Sequence, residues 1–524
     1  MSSRPHPLRW VSTQARQIFS IVGGGTPATG NPSFWDGSIP WISSADIDEG
    51  GRISPRRAIT DAAVAASAVN PVPAGTAIVV TRVGLGKVGL ARERLCFSQD
   101  CHGLLVPDGL VDPTFAAHQL RWAVRSFRSL SRGTTIPGVT TRQLADLEFR
   151  VPPTQEQKRI AAALDSHLSR LAEVERLLER VRRNLERYRT TVLKAAVEGR
   201  LVPTEAELAR AEGRDYEPAD VLLKRVLAER RRRWEEAEME RLKAAGKPPE
   251  NDRWTAKYQE PVAPDATDLP SLPEGWCWTS VDMVGEVLLG RQRAPQYLTG
   301  RFSRPYLRVA NVKDDALDLS DVETMDFDQQ HFKKYCLLPG DILVSEGQSP
   351  ELVGQSAIFR GGIEGLCFQK TLHRFRPLRT GPVSEFVQLV LRSHVRSGVF
   401  LRRASITTNI AHLTLEKFKA SPFPFPPAHE QTRIVAEAQR LLGAADVTEA
   451  SVRRQQVRCQ SLRQGILRWA FEGRLVDQDP TDEPASVLLE RIRRETSVGG
   501  NPTGQKREGR RARRGRIGGE ETGR

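Results

Sequence analysis

The side chains best suited to chemistry in this chain are cations and amides set among small residues. They lie in Thr81-Arg82-Val83-Gly84-Leu85-Gly86-Lys87, in Arg132-Gly133-Thr134-Thr135, in Arg291-Gln292-Arg293, at Gln348 and in Arg402-Arg403. Arg, Lys and Gln present N–H donors that match phosphate oxygens and the acceptor edges of bases, and a Thr hydroxyl bonds to either. The expected chemistry is recognition of a polyanion, with Arg82, Lys87, Arg132, Thr134, Arg291, Gln292, Arg293, Gln348, Arg402 and Arg403 as candidate contacts. Contact with phosphate is the commoner use of such residues and contact with a base edge the rarer one. A solvated surface charge is the alternative reading for any single one of them.

Motifs for bond-making chemistry are incomplete. Gly84-Leu85-Gly86-Lys87-Val88-Gly89 contains Gly-Lys but lacks the spacing and the hydroxyl of a phosphate-cradling loop. Asn31-Pro32-Ser33-Phe34 is similar to the Asn-Pro-Pro-aromatic loop that pins the target amine in amino-methyltransferases. Here Ser33 replaces the second proline, and Gly23-Gly24-Gly25 does not open a helix with an acidic residue following. The Asp…Glu-x-Lys pattern of a nuclease does not stand out. The nine histidines are scattered, and His167 is expected to be packed against a helix partner. The six cysteines form no CxxC and no zinc spacing, and are expected to be free thiols of a reducing cytoplasm. The expectation is a chain without catalytic residues, metal or cofactor of its own.

Composition sets the frame for these residues. The 524 residues leave room for several domains, and 39% hydrophobic with 27% charged residues is an ordinary globular balance. Net charge is +14, of which the eight Lys/Arg and three Asp/Glu of residues 499–524 supply +5. A basic excess suits a polyanionic partner. No run of eighteen apolar residues suggests a membrane span, and Met1–Trp10 does not read as a signal peptide, so a cytoplasmic location is expected.

The elements that must position the cations are repeated. Pro152-Pro153-Thr154-Gln155-Glu156-Gln157 returns as Pro426-Pro427-Ala428-His429-Glu430-Gln431, with Glu156 and Glu430 offset by 274 residues. Glu198-Gly199-Arg200-Leu201-Val202 returns as Glu472-Gly473-Arg474-Leu475-Val476 at the same offset. A segment that keeps its length over about fifty residues reads as a rigid element used twice. Between the two boxes, apolar residues step by three and four through Ile160, Leu164, His167, Leu171, Val174, Leu178, Val181, Leu185, Tyr188, Val192 and Ala195. That is a heptad seam, and predicts a coiled-coil helix of roughly 60 Å. The second copy keeps the seam at Ile434, Ala438, Leu441, Ala445, Val452, Cys459, Leu462, Ile466 and Trp469 and weakens at Thr448 and Gln455. The two helices are expected to pair antiparallel. Glu217-Pro218-Ala219 and Glu483-Pro484-Ala485 each predict a short helix, a separate charge-dense helix is expected over 229–245, and a Pro-rich linker over 247–273.

In order and doubling, these pieces resemble the specificity subunit of a type I restriction–modification system. Gly23-Gly24-Gly25-Thr26-Pro27 with Trp35 and Ile39-Pro40-Trp41-Ile42, Leu272-Pro273-Glu274-Gly275-Trp276, and Pro339-Gly340-Asp341-Ile342 followed by Val353-Gly354 are similar to that family's target recognition domains. The repeated boxes resemble the ends of its conserved helices. The second unit departs from the pattern, with Leu288-Leu289-Gly290-Arg291 in place of the triple glycine, and the first enters through Leu8-Arg9-Trp10 without Pro-Glu-Gly.

The resemblance implies a mixed α+β or α/β protein. Two target recognition domains (1–150 and 271–425) would be separated by two long antiparallel coiled-coil helices (within 151–200 and 426–477), with pseudo-two-fold symmetry. Short helices and a linker would fill 201–270, a short helix 478–497 and a basic tail 498–524. It implies double-stranded DNA as ligand, each domain reading half of an asymmetric split site. It also implies two methyltransferase subunits docked on the helices, restriction–translocase subunits beyond them, and S-adenosylmethionine, ATP and Mg on those partners. Glu156, Gln157, Arg176, Arg180, Arg183, Arg187, Glu430 and Gln431 are the candidate docking residues, with a merely solvated helix face as the alternative for the arginines. A coiled-coil scaffold with two protein-binding domains, and a self-contained methyltransferase, are the competing readings. DNA binding in the presence of a methyltransferase subunit, and cofactor crosslinking to this chain alone, separate them.

Overall fold

The computed structural model describes residue 7, residues 9–107, 109–124, 138–247, 249, 251–264, 269–407 and 409–498. The chain divides into two compact units, one of residues 1–178 and 455–524, the other of residues 179–454.

In the first unit, Ala77–Val80 lies inside a four-stranded antiparallel sheet in the order Ser20–Gly23, Cys101–Leu105, Ala77–Val80, Val88–Leu90. All four residues of Ala77–Val80 are buried, as expected for an apolar strand covered on both faces. A second sheet orders Arg57–Ile59, Trp35–Ile42 and Cys96–Phe97, the last pair parallel. Val11–Gln14 pairs with Glu148–Val151 and brings the two ends of the head together.

The second unit repeats this frame strand for strand. Its four-stranded sheet runs Gly285–Leu289, Leu372–Pro377, Ile342–Ser345, Ser356–Ile358. Its three-stranded sheet runs Glu323–Asp326, Ser303–Leu307, Cys367–Phe368, and Cys277–Ser280 closes on Pro422–Phe425. The missing triple glycine does not alter the loop. Gly24 donates to the Cys101 carbonyl (3.3 Å) and Gly290 to the Leu372 carbonyl (3.0 Å). A Cβ on either would collide with a neighbouring carbonyl, that of Ser98 or of Gln369, so the one glycine that the close approach requires is kept.

Each long helix has 44 residues, Thr154–Val197 and Ala428–Phe471. Both end on a left-handed glycine, Gly199 (φ 65°) and Gly473 (φ 69°), which explains the Glu-Gly-Arg boxes. Within the first unit the first half of one helix meets the second half of the other through Arg463 and Glu175 (2.7 Å). Within the second unit Arg189 meets Glu449 (2.7 Å) and Asp446 (2.6 Å). Glu175 and Glu449, and Arg189 and Arg463, are each 274 residues apart, so these two bridges are copies of one another, and their pairing is antiparallel.

The seam differs from the heptad reading in its middle. Leu164, Leu171, Leu178, Leu185 and Val192 face inward, but His167, Val174, Val181 and Tyr188 are exposed, and Leu168, Glu175 and Arg189 take the inward places. In the second helix Leu462 (47% exposed) and Trp469 (49%) likewise lie outside, beside inward Arg463 and Ala470. The alternating steps of four and three survive. In the middle of the seam ionic places alternate with apolar ones, so a count of apolar residues alone slipped by one position.

The short helix and the charge-dense helix are one element, Ala219–Ala244. The Pro-rich segment after it folds back instead of hanging free. Trp254 stacks on Trp234 (6.0 Å), Trp278 donates to the Pro270 carbonyl (3.0 Å), and Val262 N–H donates to Asp282 (3.2 Å).

Candidate nucleic-acid interface

Four of the sequence candidates serve the frame. Glu156 and Gln157, Glu430 and Gln431 are buried, so they are internal latches and not docking residues. Trp10 Nε1 donates to Glu156 (3.1 Å) and Trp276 Nε1 to Glu430 (2.8 Å). Gln157 bonds the Pro152 carbonyl and the Asp112 N–H, and Gln431 the Pro426 carbonyl and the Val383 N–H. Each latch tryptophan also packs where a Cβ on Gly473 or Gly199 would sit. Burial holds both latch carboxyls above their ordinary pKa, opposed by the indole donor and, at Glu430, by the Glu205 N–H as well. Beside each latch an ion pair repeats, Arg159–Asp482 (2.7 Å) and Arg433–Glu205 (2.6 Å).

Arg291 also belongs to the frame. It is 6% exposed, donates to the Asp326 carbonyl and lies over the Tyr297 ring (4.0 Å), so it is a strut and not a free contact. Its neighbours Gln292 and Arg293 are exposed, with Arg293 near Glu323 (3.9 Å).

The structure brings Gln348, Arg402 and Arg403 together around a feature that sequence reasoning missed. Gly347–Gln348 pairs with Ile410–His412, which pairs in turn with Ser405–Thr407. Arg402 and Arg403 end the helix that leads into this small sheet. Lys417 donates to Ser405 Oγ (2.8 Å). Ile406 (58%) and Ile410 (49%) are exposed on it. The signal in the sequence was a pair of short β-prone runs about Asn409, which is a hairpin pattern.

The ribbon is held at its root. Leu413 N–H donates to the Glu346 carbonyl (2.7 Å), and His373 Nε2 to the Leu413 carbonyl (2.7 Å). Burial lowers the His373 pKa to about 4, so at neutral pH the ring is uncharged. In the first unit the same place is held by Val139 N–H on the Thr81 carbonyl (2.8 Å), and by His102 between the hydroxyls of Thr81 (3.0 Å) and Thr141 (2.9 Å). Arg82 leaves from this point, exposed and 3.8 Å from Asp100. Lys87 is half-buried and reaches the Ser44 carbonyl (3.5 Å). Arg132 and Thr134 lie outside the described residues.

On the first long helix Arg176, Arg180, Arg183 and Arg187 are exposed, at steps of four, three and four. Arg176 pairs with Glu173, and Arg183 approaches Glu179 (3.9 Å). All six cysteines are free thiols. Among the described residues no His/Cys/Asp/Glu cluster is arranged to hold a metal ion, and no helix is long and apolar enough to cross a membrane.

Two copies of one frame, each with exposed cations at its outer strands, define a recognition protein with two similar domains. Comparison with known proteins supplies the family. The sequence profile of the type I restriction modification DNA specificity domain matches residues 7–182 and 291–448, and the chain belongs to that family. It is 23% identical over 410 residues to the type I restriction enzyme EcoKI specificity subunit of Escherichia coli (strain K12), covering 76% of this chain and 75% of that one. It is 21% identical over 508 residues to the EcoDI specificity subunit of Escherichia coli, covering 95% and 98%. A solved chain from work described as the structural basis of complex assembly and conformational transition of the type I R-M system superposes with a TM-score of 0.62. That match has 19% identity and covers 90% of this chain and all of that one, and it supports the fold. The protein is thus the DNA-recognition component of a type I restriction–modification complex.

Proposed function

We propose that each unit reads one half of an asymmetric, two-part DNA site, and that the chain itself performs no catalysis. The observation that carries this reading is one frame used twice with unlike residues at equivalent exposed places. After the buried strand, Thr81-Arg82-Val83 leaves the sheet in one unit and Glu346-Gly347-Gln348 in the other. Identical frames present readers in equivalent ways, and unlike readers select unlike sequences. The exposed Arg176, Arg180, Arg183 and Arg187 are candidates for docking methyltransferase subunits, and the repeat of the long helix favours two of them. S-adenosylmethionine, ATP and Mg would then act on partner subunits. The helices set the length of the unread spacer between the half-sites.

Co-expression with the cognate methyltransferase subunit, followed by sequencing of methylated DNA, tests the reading. A split site with two different halves is expected. A continuous or palindromic site overturns it.

A further inference from the structure

Strand alternation sorts the ribbon residues by face. Ser405 pairs with His412 and Thr407 with Ile410, and directly opposed residues share a face. Gly347 pairs with His412 and so joins them. One face of the sheet therefore carries Ser405, Thr407, Ile410 and His412. The opposite face carries Ala411, fully buried at the root, between half-buried Gln348 and exposed Ile406, so only the first face combines an isoleucine with three polar side chains. The first face is open: Ser405, Thr407 and Ile410 are exposed and His412 is half-buried. Three of its members are hydrogen-bonding side chains and one is a β-branched hydrocarbon. Gly347 keeps the face low, since a Cβ there would lie 3.0 Å from His412 Nδ1 and 3.9 Å from Ile410 Cγ2.

The third strand reaches only Ala411 and His412, so the sheet is a two-stranded ribbon at Ile410, and an exposed isoleucine amid polar groups there fits one groove of B-DNA. The major groove admits such a ribbon and displays the thymine methyl, the one apolar group on its floor, whereas the minor groove displays none. Lys417, held at Ser405, and Arg402 and Arg403, at the entry to the ribbon, supply cations for the flanking phosphates. Glu346, the acid at the root, is turned to His412 (3.4 Å).

We propose that this face lies in the major groove and that Ile410 covers a thymine methyl, so that the half-site read by the second unit contains a thymine specified through its methyl group. This rests on the two-part reading proposed above. Ser405, Thr407 and His412 are left to bond the neighbouring base edges.

Replacing thymine by deoxyuridine removes that methyl and leaves the pairing and every other groove atom unchanged. With the full chain assembled with its cognate methyltransferase subunits, competition binding is measured on duplexes carrying deoxyuridine at each thymine of both half-sites in turn. Loss of one buried methyl corresponds to about a fourfold drop in affinity. One position in one half-site is expected to show it. In Ile410→Ala that penalty should vanish, while penalties in the other half-site persist. A half-site without thymine, equal binding of thymine and deoxyuridine throughout it, or a penalty that survives in Ile410→Ala overturns the proposal while leaving the two-part site intact. Absence of any two-part site sinks the underlying reading instead.

Discussion

Replacing the latch tryptophan of the first unit, Trp10→Phe, tests the frame directly. Trp10 is 7% exposed, and Glu156, which accepts its indole N–H at 3.1 Å, is 2% exposed. Phenylalanine keeps most of the ring and removes the donor, leaving a buried carboxylate without it. An unsatisfied buried acceptor costs about 1–3 kcal/mol, and a charged one costs more. Trp276→Phe should cost less, because Glu430 keeps the Glu205 N–H at 2.9 Å.

The deficit should also depend on pH, and the sign is fixed. Burial raises the Glu156 pKa above its ordinary 4.5, so its stabilising contribution is complete below that value and is lost as pH rises through the raised one. Removing the indole raises the folded-state value further. The gap between Trp10→Phe and wild type should therefore be widest at neutral pH and narrow on acidification toward the ordinary carboxylate value. Urea unfolding midpoints at several pH values measure this. The double variant Trp10→Phe/Glu156→Met, which removes both partners, should recover most of the loss, since an apolar pair leaves nothing unsatisfied. A deficit below about 0.5 kcal/mol, the scale of an ordinary surface change, or one that widens on acidification, would refute the latch.

Two further outcomes test the helices. Arg189→Glu should lower the melting temperature, and adding Glu449→Arg should restore part of it. A coupling of about 1 kcal/mol is expected because the Arg189 side chain is 8% exposed and that of Glu449 18%, while the partner Asp446 is largely in solvent. Inserting seven residues at Leu178 and at its equivalent Val452 adds about 10 Å of helix, close to three base pairs of duplex. Sequencing of methylated DNA should show a longer spacer and unchanged half-sites.

Much of the frame was legible because its constraints are local and repeated. Gly199 and Gly473 mark helix ends through their left-handed backbone, and the offset of 274 residues locates both helices without any packing argument. The seam was half legible. Leu171, Leu178 and Leu185 announce themselves, whereas Glu175 and Arg189 face inward only because each meets an opposite charge far away in sequence. The same blindness turned Glu156, Gln157, Glu430 and Gln431 into expected docking residues. A polar residue reads as surface until its buried partners are known. Arg291 misled for that reason too, since the rings of Tyr297 and Phe327 that hold it are not adjacent in sequence.

The same separation explains how such a chain can hold its architecture while its reading edges diverge. The residues that fix the frame, Trp10, Trp276, their glutamates and His373, all turn inward, and their partners are backbone groups or each other. On the ribbon, alternation puts Ala411 inside and Ile410, one residue earlier, outside, so the strand Ile410–His412 is anchored at one position and exposed at its neighbour. Substituting Thr407 or Ile410 removes little buried area and leaves the ladder hydrogen bonds in place. The stability cost of a new recognition residue there should be within the few tenths of a kcal/mol usual for a surface position, whereas a change at Ala411 must be accommodated by the core. Selection can therefore act on the outer face alone, and the two heads can carry unlike readers on a common frame.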